Sequence, residues 1–188
     1  MPFCGTRSLS RQVGSLHEIR PLPCGCWSCP DCERRNKKRI RRMMEDGKPD
    51  RLVTITARAI TGEDPEIALD RLYRVWAQFA REERKRHPSL RLEYLLVPEL
   101  TKRGWPHLHI LVRSNFIAQK RLSDYMLENL GAPVVDVRAV RSLKGVAKYV
   151  GKYLTKRPLK MCGRRRFARS RDWIAQADRD ARERARRP

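Results

Sequence analysis

The sequence predicts an α+β fold, a small antiparallel β-sheet flanked by helices, preceded by an N-terminal cysteine-rich segment suited to zinc. Three observations predict it. Stretches with strand-like alternation are interleaved with stretches of helical spacing. Two of the strands are separated only by the turn-like LTKRGW, as in an antiparallel hairpin. Four cysteines fall within nine residues near the N-terminus.

The elements follow in order. Leu52–Ala57 (LVTITA) alternates and is rich in β-branched residues, so it is expected as a strand. Asp64–Pro65 opens a helix, because proline suits the first turn. Its apolar residues Ile67, Leu72, Val75, Trp76 and Phe79 recur at helical spacing until Pro88 stops it. Leu90–Glu99 and Pro106–Arg113 (PHLHILVR) are the hairpin strands. Ser114 or Asn115 is expected to cap a helix that ends at Gly131. Val134–Val140 is a fourth strand, and Ser142 caps a last helix through Thr155 whose stripe is Leu143, Val146, Ala147, Val150 and Leu154.

Composition divides the 188 residues into three parts: a cysteine-rich basic segment (1–50), a core (51–160) and an arginine-rich segment (161–188). Lys and Arg total 43 against 21 Asp and Glu, a net charge of +22. Such an imbalance repels itself unless a polyanion neutralises it, so nucleic acid is the expected partner. No apolar run is long enough to span a membrane, which excludes that class. The first residues, MPFCGTRSLSRQVGS, lack the apolar centre of a secretory signal, so a cytoplasmic protein is expected. Its six cysteines then read as metal ligands or thiols rather than disulfides.

His107 and His109 stand two apart on a strand, so both imidazoles project from one face. Leu108, Ile110 and Val112 fit the opposite, buried face. Folding the hairpin about Lys102–Gly104 brings Glu99 beside His107. Two imidazoles and a carboxylate suit Mn²⁺ or Mg²⁺, and do not exclude Zn²⁺. The plainer alternative is a pair of surface histidines.

KGVAKYVGKYLTK carries Tyr149 and Tyr153 at i and i+4, one above the other on a helix. Each begins a YxxK pattern, with Lys152 and Lys156. A phenol is a poor nucleophile at neutral pH, and a nearby lysine together with a cation on the phosphate remedies that weakness. Tyrosines straddling core and solvent are the alternative.

In this order, LVTITA, PHLHILV and KYVGKYLTK resemble the three motifs of HUH endonucleases, the rolling-circle replication initiators of small phages and plasmids with their related relaxases and transposases. The paired tyrosines resemble the two-tyrosine branch found in microvirus-type replication proteins. GRRRFARSRDW resembles the basic, aromatic segment common after the tyrosine helix in phage initiators. The resemblance implies His107, His109 and Glu99 as metal ligands, Tyr149 and Tyr153 as nucleophiles, and Lys152 and Lys156 as the YxxK lysines. It implies an endonuclease that nicks and rejoins single-stranded DNA at a replication origin through a 5′-phosphotyrosine, working with a host helicase and polymerase. No GxxxxGK[ST] occurs, so the helicase domain of many viral initiators is not expected here. A single-strand transposase of the same family needs the same site. A non-catalytic, zinc-stabilised nucleic-acid-binding regulator needs neither the histidines nor the tyrosines.

Cys24, Cys26, Cys29 and Cys32 fit C-x-C-x-x-C-x-x-C, and CxxC is the spacing at which two thiolates bend around Zn²⁺. Cys4 or His17 can replace one member, and thiols or an iron–sulfur cluster are the other readings. The following ERRNKKRIRR holds seven basic residues in ten, a phosphate-contacting segment. Trp27, Trp105 and Trp173 either stack on unpaired bases or fill the core.

Overall fold

Strand β1 (Ser8–Val13) turns through Gly14 and Ser15 into β2 (Leu16–Pro21), with Val13 opposite Leu16. Gly14 has φ 63°, the left-handed value that a two-residue hairpin loop requires. Helix α1 (Pro30–Asp46) follows, with proline at its start and Asp31 and Glu33 in its first turn, where negative charge meets the positive end of the helix dipole. The computed structural model describes residues 8–22, 24, 29–58, 60–114, 117–131, 134–155 and 167–173. Two units are distinguished, residues 1–42 and 43–188, and α1 runs across their boundary.

The second unit is built on an antiparallel sheet. β3 (Arg51–Thr56) leads into α2 (Pro65–Arg86). The Asp64 side chain caps α2 by accepting from the Glu66 N–H at 2.7 Å, as the Asp-Pro pair predicts. β4 (Glu93–Leu100) and β5 (Pro106–Arg113) form the hairpin, with Gly104 at φ 78° in its turn. α3 (Gln119–Leu130), β6 (Val135–Ala139), α4 (Leu143–Thr155) and a short β7 (Ala168–Arg169) complete it. The sheet order is β6-β3-β5-β4-β7. One sheet face, with Val53, Ile55, Leu96, Leu108, Ile110 and Val112, packs with α2 and α3 into the main core around Trp76, Phe79 and Met126. The opposite face carries the two histidines, and α4 lies over it against β4.

Several expectations need correction. β4 begins at Glu93 rather than Leu90, because after Pro88 the chain turns, with Leu90 N–H donating to the His87 carbonyl at 2.8 Å. The N-cap of α3 is Ala118, without a side-chain cap. Ser114 is instead buried at the end of β5, where its N–H donates to Asp50 Oδ2 at 3.3 Å. Ile67, expected on the buried stripe of α2, is 57% exposed. Ser142 does cap α4, its hydroxyl accepting from Gly145 N–H at 3.1 Å, and Gly131 ends α3 in the left-handed region.

The arginine-rich C-terminal segment contributes more than charge. β7 pairs with the edge of β4, placing Arg169 opposite Leu95. Trp173 is fully buried, and its indole Nε1–H donates to the Met43 carbonyl at 3.2 Å. Its ring lies so close over Gly47 that a Cβ there would overlap it. Trp105 also packs against the main core. Trp173 is therefore core rather than a base-stacking platform, Trp105 is partly buried, and Trp27 lies outside the described residues.

Candidate functional site

Antiparallel register decides what meets on the open sheet face. Glu99 is opposite His107, His109 is opposite Val97 on one side and Thr54 on the other, and Thr54 is in turn opposite Asp136. Because alternate residues share a face, Thr54, Glu99, His107, His109 and Asp136 all project together.

Glu99 Oε2 lies 2.8 Å from His107 Nε2 and 2.9 Å from His109 Nε2. The imidazole centroids are 4.6 Å apart. Glu99 is 8% exposed and His109 2%, whereas the His107 side chain is 17% exposed, so the cluster opens on the His107 side. The three ligand atoms lie within 4.8 Å of one another. Ligands about 2.1 Å from one ion stand roughly 3 Å apart, so this set fits a single divalent cation. One carboxylate and two imidazoles form a mixed oxygen and nitrogen donor set of the kind that such ions take.

Thr54 was not singled out by sequence. Its hydroxyl sits 3.3 Å from His109 Nδ1. The signal existed in LVTITA, whose alternation turns both threonines to the polar face, but only pairing with β5 shows which threonine meets which histidine.

Of the tyrosine pair, Tyr149 is described in full. Its ring meets His109 edge-on, at 5.7 Å between centroids and 83° between planes, and it is 43% exposed. The neighbouring Val150 is fully buried, so the helix turns Val150 inward while Tyr149 stays exposed beside His109. Three other tyrosines are set apart by burial, which pushes the Tyr73 and Tyr94 phenols up and, with a hydrogen bond to Glu82, lifts Tyr125 to about 12. The side chains of Lys152 and Tyr153, and all of Lys156, lie outside the described residues. A groove of about 530 Å³ runs from the histidines to the first half of α4, lined among others by Thr54, Asp136, Arg138, Arg141 and Tyr149. Arg138 pairs with Asp136 at 2.6 Å, and Arg141 adds a second guanidinium to the lining.

In the first unit, Cys24, Cys29 and Cys32 also converge, with their sulfurs within 4.8 Å of one another. Cys24 Sγ and Cys32 Sγ are 3.5 Å apart, too far for a disulfide. Three thiols so placed fit a soft cation such as Zn²⁺. Cys26 and Cys4 lie outside the described residues, so the fourth ligand is not assigned.

Among the described residues, no helix is long and apolar enough to cross a membrane. No curated protein and no solved structure matches the chain. A family model does, over residues 50–158, from the first strand of the central sheet to just beyond the tyrosine helix. That span is more than half of the chain and holds Glu99, both histidines and both tyrosines, and on this ground the protein belongs to the replication-associated protein ORF2/G2P family.

Proposed function

We propose that the protein is a metal-dependent, HUH-type endonuclease that nicks single-stranded DNA at a replication origin and later rejoins it through a 5′-phosphotyrosine, starting rolling-circle replication. The observation that carries this reading is Tyr149 standing edge-on to His109, one of the three residues of the Glu99–His107–His109 cluster.

Glu99, His107 and His109 hold Mn²⁺ or Mg²⁺, which when bound polarises the scissile phosphate as a Lewis acid. Arg138 and Arg141 along the groove meet the strand's phosphates without reading its sequence. The Tyr149 oxygen attacks phosphorus in line. A tyrosine O–P bond forms, the bond from phosphorus to the 3′-oxygen breaks, and the phenol proton leaves as a proton is delivered to the departing 3′-oxygen. The products are a 5′-phosphotyrosine and a 3′-hydroxyl that primes synthesis. Phosphodiester and phosphotyrosine are similar in energy, so reversal rejoins ends without ATP. Tyr153, one turn away, serves a second cleavage while the first adduct persists, and Lys152 and Lys156 are the lysines of the two YxxK motifs.

Residues 51–160 are the nuclease core in this reading, and the cysteine cluster holds a structural Zn²⁺. A host helicase and polymerase extend the primed end in the cytoplasm. The test is incubation with single-stranded oligonucleotides of varied sequence carrying a 3′ label, plus Mn²⁺. A labelled protein band surviving a denaturing gel supports the reading. Cleavage without such a band points to a water nucleophile and overturns it.

A further inference from the structure

We infer that the N-terminal unit is a DNA grip whose affinity is set by metal bound at Cys24, Cys29 and Cys32. This rests on the zinc reading of that cluster and on DNA as the partner.

The cysteines occupy positions where an ion would organise α1. Cys29 supplies the carbonyl that accepts from Glu33 N–H at 2.8 Å, and Cys32 lies in the first turn, 2% exposed. Cys24 lies three residues beyond the end of β2. One cation holding all three sulfurs ties the hairpin exit to the start of the helix, which fixes the residues whose ordering is the costly step in helix formation.

Helix α1 needs that help. Residues 33–42 contain seven basic side chains and one acidic, Glu33. Arg34 and Lys38, Arg35 and Arg39, and Lys38 and Arg42 are like charges at i and i+4, each pair opposing the helix. Relief comes from Asp31 with Arg34 at 3.9 Å and Glu33 with Lys37 at 2.7 Å, both in the first turns, and the last turn has no basic residue to complement the dipole.

The same charges make the binding surface. Arg34, Arg35, Lys38, Arg39, Arg41 and Arg42 are exposed, at spacings that gather them on one broad side of the helix. Phosphates laid along that side remove the repulsion. Metal favours the helix, DNA favours the helix, and each therefore tightens binding of the other. Occupancy of the cysteines becomes a control on affinity, separate from the chemistry at Glu99.

The experiment uses the full chain, a fluorescent single-stranded oligonucleotide and buffer without Mn²⁺ or Mg²⁺. Binding is followed by anisotropy at several salt concentrations for protein as purified, stripped with a zinc chelator, and resupplied with Zn²⁺, with zinc counted by elemental analysis. Stripping should weaken binding about tenfold and flatten the dependence of log K on log salt by about 2, as expected when about three phosphate contacts are lost. Zn²⁺ should restore both. Arg34→Ala/Lys38→Ala/Arg42→Ala should show the same loss with its zinc retained. Stoichiometric zinc whose removal leaves affinity and salt dependence unaltered overturns the coupling while leaving the zinc reading intact. Protein that carries no zinc and gains no affinity from it overturns both.

Discussion

His109 is held from two sides: its Nε2 faces Glu99 at 2.9 Å, and its Nδ1 lies 3.3 Å from the hydroxyl of Thr54 on the adjoining strand. When Nε2 binds a cation, the ring proton must sit on Nδ1, where the threonine oxygen can accept it. Thr54 is thus a positioning residue. Thr54→Val should weaken Mn²⁺ binding about tenfold, with Thr54→Ser close to wild type. Electron paramagnetic resonance of free Mn²⁺ during titration reads this directly, and equal affinity in Thr54→Val would remove the role.

His107 is the most exposed of the three proposed ligands, and in the proposed reading DNA affinity comes from Lys and Arg elsewhere. His107→Ala should therefore abolish nicking while leaving oligonucleotide affinity within about threefold. Full cleavage by this variant in chelator-treated buffer resupplied with Mn²⁺ would contradict the metal assignment.

Tyr149 and Tyr153 should prove unequal, because one helix cannot hold both hydroxyls at the same distance from the cluster. Tyr149→Phe should lose most first-strand adduct, on the order of a hundredfold in rate. Tyr153→Phe should keep the first nick and lose joining to a second strand. The double variant should form no adduct. Peptide mapping of trapped label assigns the attacking residue, and label on neither tyrosine refutes the covalent route.

Glu93 is 5% exposed and gripped by Arg91 at 2.5 Å and by Arg113. Burial alone would push its carboxyl up, but the hydrogen bonds and charges of Arg91 and Arg113 outweigh it and hold the group below the usual range. A folded value below the unfolded one, about 4.3 for glutamate, means stability fully present above that pH and lost as pH falls through the folded value. Glu93→Gln should cost about 1–3 kcal/mol at neutral pH, by leaving the partly buried Arg113 beside a neutral group. It should also lose less on acidification than wild type. Thermal melts between pH 3 and pH 7 measure both, and parallel pH profiles would reject the linkage.

Gly47 lies beneath Trp173, with no space for a Cβ. Gly47→Ala should destabilise by about 1–3 kcal/mol through overpacking. Combined with Trp173→Leu it should cost less than the two changes summed, since the clash disappears with the indole. Additive losses in denaturant titrations would show that the two residues do not interact.

These cases show where the sequence was legible. Glu99 opposite His107 followed from period two and a short turn, and the capped starts of α2 and α4 followed from Asp64 and Ser142. Such features depend on local chemistry. The β1–β2 hairpin escaped because Leu9, Leu16 and Ile19 are all exposed, so no buried face imposed an alternation to read. β7 escaped because two residues carry no period, and its place comes from Ser170, whose N–H donates to the Tyr94 carbonyl at 2.9 Å from far along the chain. The start of α3 was misplaced because Ser114, a good cap by type, is taken up by Asp50. Thr54 needed the register between β3 and β5, which no single stretch encodes.

The pairing of β7 with β4 also orders events during synthesis. Glu99, His107, His109 and Tyr149 all leave the ribosome before Ala168, Arg169 and Trp173. Until those last residues emerge, the backbone of β4 faces water on its outer side, with Leu95 and Leu96 lacking their partners. An unpaired strand edge of this kind is a template for other chains. A nascent chain can therefore carry the proposed catalytic constellation while that edge is still open to other chains, and the last-made segment is the one that covers it.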